Sequence, residues 1–144
     1  MSARRLAREV VVQTLYEAQI SKVDARQALQ SNLERRSGAQ EAQEFAERLL
    51  KELLEHRQKI DDLIGESLEN WSWERIAVVD RCVLEMATTE LMRFPDVPLR
   101  VVIDEAVHIV RKFSSRESGS FVNGVLDRVA RTLGAQSDAA KPES

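Results

Sequence analysis

The chain has 144 residues, of which 43% are hydrophobic and 31% charged, with a formal net charge of −3. That balance fits one compact globular domain, or two small bundles sharing a core, and excludes a wholly disordered chain. Five glycines and three prolines, against abundant Ala, Leu, Glu, Arg and Gln, favour an all-α protein, and the small negative net charge argues mildly against nucleic acid.

Residues 3–20 are predicted to be a helix capped by Ser2, with Ala3, Ala7, Val11, Thr14, Leu15 and Ala18 on one side. Asp24 is expected to cap a second helix, 25–36, that buries Ala25, Ala28, Leu29 and Leu33 and ends at Ser37-Gly38. A third run, 39–56, carries Ala42, Phe45, Ala46, Leu49, Leu50, Leu53 and Leu54. The pattern continues through Ile60, Leu63, Ile64 and Leu68, and whether a kink near His56–Lys59 divides it is left open. Asn70-Trp71-Ser72-Trp73 breaks the periodicity and marks the expected boundary between two helical halves, with the tryptophans as staples between them. Ser72 is expected to cap a helix over 73–93. Phe94-Pro-Asp-Val-Pro98 cannot continue it, because two prolines lie within five residues. Helices follow at 99–113 and, after a polar turn 114–120, at 120–133, with Gly134 as a stop and 135–144 as a disordered tail.

Charge is distributed unevenly. Residues 1–36 hold seven Lys/Arg against four Asp/Glu, and residues 37–70 hold four against nine. On the first helix, Arg5, Arg8, Val12, Tyr16 and Gln19 fall opposite the apolar side, with Arg4 at the edge. Guanidinium groups bind phosphates and a tyrosine can stack on an unpaired base, so this face suits RNA. A solvated helix face is the commoner meaning of such a pattern. Within Phe121-Val-Asn-Gly-Val-Leu-Asp127, Gly124 weakens a helix by about 1 kcal/mol, which close approach of another helix would offset. Asn123 beside it is expected to cap or bridge a neighbouring element.

Chemistry-bearing groups are sparse. Cys82 is the only cysteine and His56 and His108 the only histidines, so neither an intrachain disulfide nor a four-ligand Cys/His zinc site can form. Asp80, Asp104, Glu105 and Asp127 are not joined to a nucleophile, a metal-ligand motif or a phosphate loop, so no catalytic role and no cofactor are expected. No apolar run approaches the ~20 residues of a membrane span, and no apolar stretch follows the basic N-terminus; a cytoplasmic location is expected.

Taken together, several segments resemble the NusB transcription-antitermination family. Ser2-Ala-Arg-Arg-Leu-Ala-Arg-Glu9 with Gln13-Thr-Leu-Tyr16 is similar to its arginine-rich first helix. Asn70-Trp71, Arg75, Asp80-Arg81, Val83-Leu84 and Met86-Ala87 resemble its middle helix. Pro98, Val102-Ile-Asp-Glu-Ala-Val107, Lys112-Phe113, Ser118 and Phe121–Asp127 resemble its C-terminal half. The resemblance covers about residues 2–133 and implies an all-α fold of about seven helices in two small packed bundles, at about 1–69 and 70–134.

It further implies a non-enzymatic factor that binds boxA RNA of ribosomal RNA transcripts together with the NusE-type small-subunit ribosomal protein, and acts with other Nus factors on RNA polymerase. Carried over by motif, Arg4, Arg5, Arg8, Gln13, Tyr16 and Phe121 would contact RNA, and Asp80, Phe113 and Glu117 would belong to the surface shared with RNA or the NusE-type partner. The basic cluster is shorter than in some members. Glu85 stands where a basic residue is common, and Asp104 where Asn is frequent, so RNA binding is expected to need the partner. Self-association with the arginine helix buried between subunits is left open. The two other readings are a module related to ribosomal RNA methyltransferases, disfavoured because no cofactor-binding βαβ region occurs within the 144 residues, and an interaction bundle with no RNA role.

Overall fold

The computed structural model describes residues 2–70 and 72–140, with side chains to Gly134. Among the described residues it contains seven α-helices and no strand: α1 Ala3–Ser21, α2 Ala25–Arg35, α3 Ala39–Glu55, α4 Arg57–Glu66, α5 Val78–Arg93, α6 Leu99–Phe113 and α7 Arg116–Ala140. No helix among these residues is long and apolar enough to cross a membrane.

The helix starts follow local chemistry. The Ser2 side chain accepts the Arg5 N–H at 3.1 Å, and Asp24 accepts that of Gln27 at 3.0 Å. Gly38, at φ +79°, supplies the left-handed residue that turns the chain from α2 into α3. The long apolar run does divide, at His56, whose Nδ1 lies 2.9 Å from the Glu52 carbonyl oxygen.

Three boundaries differ from expectation. Trp73–Arg75 form a single 3-10 turn and α5 begins only at Val78, because Ile76 and Ala77 are extended. The Ser72 side chain caps nothing there, and Trp71 lies outside the described residues. The C-terminal helix starts at Arg116, where the Ser115 hydroxyl accepts the Ser118 N–H at 3.1 Å, so most of the expected polar turn is helical. That helix runs through Gly134 to Ala140, so residues 135–140, expected as disordered tail, are helical; 141–144 lie outside the described residues. Glycine at one position lowers helix propensity by only ~1 kcal/mol, which surrounding Ala and Leu can offset.

One apolar core runs through the molecule. It joins Leu6, Ala7, Val10 and Leu15 of α1, Leu49, Leu50 and Leu53 of α3, Val83, Leu84 and Met86 of α5, Ile103 and Ile109 of α6, and Val122, Val125 and Leu126 of α7. At its centre α5 packs against α1, α3, α4, α6 and α7, and its residues 82–90 are buried without a break. Likewise α1 lies between α2, α3 and α5, which buries Leu6 through Val12 on every side.

Candidate RNA-binding surface

Because α1 is enclosed over its middle, its polar residues are divided between the interior and the surface. Arg8, expected on an exposed face, is only 3% exposed, and Val12 is buried with it. The Arg8 guanidinium donates from Nε to both Glu90 oxygens, at 2.8 and 3.1 Å, and lies over the Phe45 ring at 5.3 Å. Burial pushes the Glu90 carboxyl above its usual range, outweighing the pull of Arg8. Arg8 is therefore an internal strut between α1 and α5, and its assignment as a surface RNA contact is corrected.

Arg4 and Arg5 stay at the surface. Arg4 approaches Asp96 at 3.9 Å and lies over Phe45. Arg5 makes a two-pronged pair with Glu105 of α6, both bonds 2.9 Å. Hydrogen bonding to Arg5 holds the Glu105 carboxyl below its ordinary range.

The remaining candidates gather around the start of α5. Gln13, Tyr16 and Phe113 line an open groove of about 450 Å³ with Val12, Val79 and Arg36. Tyr16 is 40% and Phe113 46% exposed, so two large rings on one groove present part of their surface to solvent. Arg36 Nη1 lies 3.5 Å from Gln13 Oε1, and Lys112 Nζ lies 5.4 Å from the centre of the Phe113 ring. Aromatic faces and cations therefore share one edge.

On the other side of α5's first turn, Asp80, Glu117 and Phe121 line a smaller groove of about 240 Å³ with Arg75, Ile76, Ala77 and Ser118. Asp80 is buried, contrary to its expected place on a partner surface. Its Oδ2 accepts the Ser118 hydroxyl at 2.8 Å, tying α5 to α7, and as an acid in a first helical turn it suits the helix dipole. Glu117 is exposed and Phe121 half-buried.

Other polar residues singled out in the sequence have structural partners. Asn123 bridges, accepting from Arg100 of α6 at 3.5 Å and donating to Asp127 at 3.3 Å. A Cβ at Gly124 would meet only Arg128 Nη1, at 3.5 Å, so the expected close helix approach is not there; it occurs at Gly119, where a Cβ would lie 2.6 Å from Arg111 Nε. Glu85, at the position where the family is often basic, is buried and paired with Arg57 at 3.1 Å. Burial pushes the Cys82 thiol up to about 12, which leaves it unreactive. Glu52, Glu55 and His56 bring ligand atoms within 4.8 Å of one another, but Arg93 and Lys51 already pair with the two carboxylates, at 3.0 and 3.9 Å.

Sequence reasoning missed Arg36, Val79 and Arg75 as groove residues. Arg36 reaches Gln13 across 23 positions, a proximity that no local pattern encodes.

Comparison with known proteins shows the family and its fold. The model of the NusB family matches residues 5–131. A transcription antitermination protein NusB of Salinibacter ruber is 43% identical over 136 residues, covering 92% of this chain and 84% of the relative. The solved NusB structure of T. maritima superposes with a TM-score of 0.81 at 41% identity, covering 89% of this chain and 90% of that one. A crystal structure of antitermination factors NusB and NusE in complex with double-stranded RNA matches with a TM-score of 0.81 at 25% identity, over 92% of this chain and 98% of that one. The shared fold and a match spanning all seven helices lead to one conclusion: the chain belongs to the NusB family.

Proposed function

We propose that this chain is a non-enzymatic transcription antitermination factor of the cytoplasm. It binds boxA RNA of ribosomal RNA transcripts jointly with a NusE-type ribosomal protein, and through that complex acts with other Nus factors on RNA polymerase. The observation that carries this reading is the groove where exposed Tyr16 and Phe113 stand beside Arg36 and Lys112. Aromatic faces stack on unpaired bases and cations meet the phosphates between them, the combination by which proteins hold single strands. Arg4 and Arg5, at the surface near the start of α1, add further cations, and Phe121 as an RNA contact and Glu117 as a partner contact line the second groove beyond the first turn of α5. Arg8 contributes by holding α1 in place.

Replacing Tyr16 and Phe113 together with Ala tests this. Stacking contributes about 1–3 kcal/mol per base, so the double variant is expected to bind boxA RNA at least about tenfold more weakly, alone and with the NusE-type partner. Its thermal unfolding should stay near that of the parent, because both rings are exposed. Unchanged affinity in fluorescence anisotropy would overturn the groove as the RNA site.

A further inference from the structure

The two cations beside the groove come from different elements, Arg36 from the cap of α2 and Lys112 from the last turn of α6. A single carboxylate on α1 reaches both. Glu9 Oε1 accepts from Lys112 Nζ at 2.7 Å, and its Oε2, which has no hydrogen-bond partner, lies 3.6 Å from Arg36 Nη2. The Glu9 side chain is 0% exposed, whereas Arg36 and Lys112 are 34% and 46% exposed. Both cationic groups therefore meet the buried carboxylate while their side chains stay partly exposed, Arg36 on the groove lined by Gln13, Tyr16 and Phe113, and Lys112 against the Phe113 ring.

A buried carboxylate is unfavourable unless paired, and an apolar residue of similar size could fill the same space between α1, α2 and α6. What the carboxylate adds is order. Lys and Arg side chains are rich in rotamers, and a strand that binds free ones must restrict them at the moment of binding. We propose that Glu9 is a positioning residue of the RNA groove. It touches no RNA, and it fixes Arg36 and Lys112 where the phosphates of a strand stacked on Tyr16 and Phe113 pass. This inference rests on the RNA reading of the groove.

The sign of its effect separates it from simple electrostatics. A carboxylate beneath a phosphate site repels RNA, so by Coulomb's law alone Glu9→Gln would bind more tightly and Glu9→Asp, which keeps the charge, would change nothing. Positioning predicts weaker binding for both, since Gln loses the charge that holds the cations and Asp is one methylene too short to reach them. The experiment measures binding of a fluorescein-labelled single-stranded boxA RNA to the full-length chain over a salt series, with thermal unfolding of each variant as a folding control.

Both Glu9 variants are expected to weaken binding about three- to tenfold. The log–log salt slope should fall by up to about 1.4, or roughly 0.7 for each of two phosphates no longer met. In a chain already carrying Arg36→Gln and Lys112→Gln, Glu9→Gln should then change affinity by less than about twofold. Equal or tighter binding by a folded Glu9→Gln or Glu9→Asp chain overturns the inference. So does wild-type binding by both single variants, Arg36→Gln and Lys112→Gln, each of which leaves Glu9 one cationic partner. If the Tyr16/Phe113 double variant also binds normally, the groove reading itself fails; if only the Glu9 variants do, positioning alone fails.

Discussion

Arg8 and Arg5 show how differently two arginines three residues apart can act. Arg5 shares its pair with Glu105 at a partly exposed edge, where solvent screens both charges, and losing it should cost far less stability than losing the Arg8–Glu90 pair. Arg8 and Glu90 are both essentially without solvent. Truncating one partner of such a pair leaves the other charge buried and uncompensated, which typically destabilises by about 3–5 kcal/mol. Arg8→Ala is thus expected to lower stability by that order in urea unfolding, and Arg5→Ala to leave the midpoint near that of the parent. In RNA titrations the order reverses: Arg5→Ala weakens binding at full stability, and a stably folded Arg8→Met chain retains most of it. A helical wheel could not have separated the two, because it assigns angles around α1 without knowing that neighbours stand on every side of residues 6–12.

Among the elements, α7 carries three glycines, two of which, Gly119 and Gly124, have opposite surroundings. Gly119 faces the Arg111 side chain closely, and Gly124 meets nothing nearer than 3.5 Å. Alanine lowers the conformational entropy of the unfolded chain and favours helix, by about 0.5–1 kcal/mol where the space is open. Gly124→Ala is expected to raise the thermal midpoint. Gly119→Ala must first displace Arg111 and should gain less or lose stability, as differential scanning calorimetry on the two variants would show. The start of α5 is the other element that matters: a 3-10 turn and two extended residues precede it, and its first turn separates the two grooves with Val79 on one side and Asp80 on the other. The helix periodicity of 76–91 was plain in the sequence. The delayed start was not: the turn at Trp73–Arg75 and the extended residues before Val78 carry the same apolar spacing as the helix, and Asp80 meets its partner Ser118 38 residues away.

At the scale of the whole molecule, the packing of α4 on α5 makes stability depend on pH. Burial first, and then hydrogen bonding to Glu85, raise the Asp61 carboxyl to about 7, while Arg57 and Arg81 pull the other way. The folded chain thus holds the Asp61 proton up to about pH 7, whereas the unfolded chain releases it near its ordinary 3.8. Between those values the folded state binds the proton more tightly, so this group's contribution to stability declines as pH rises from about 4 to 7 and stays low above. Asp61→Asn, a permanent neutral partner for Glu85, is expected to match the parent at pH 4 and exceed it at pH 8. The gain should be about 1 kcal/mol, discounted because the side chain is only half-buried. Urea unfolding at the two pH values reads it directly. Glu105 acts in the opposite sense: its lowered carboxyl adds stability at neutral pH that is lost as acid titrates it.

Apolar periodicity, caps and two close prolines were sufficient to set the all-helical class and most helix boundaries, since these depend on residues three to eight positions apart, and the resemblance of whole motifs added the family. Tyr16 was readable as a surface candidate from the same periodicity, whereas Gln13 came only from the motif resemblance. What only the folded chain decided was how the charges are distributed: Arg8 inside against Glu90, Glu9 inside beneath Arg36 and Lys112, and Asp80 bound to Ser118. Those partners lie 27 to 103 positions apart in the chain. Whether a charge faces water or another charge is set by which helices enclose it, a property of the packing that no single helix contains.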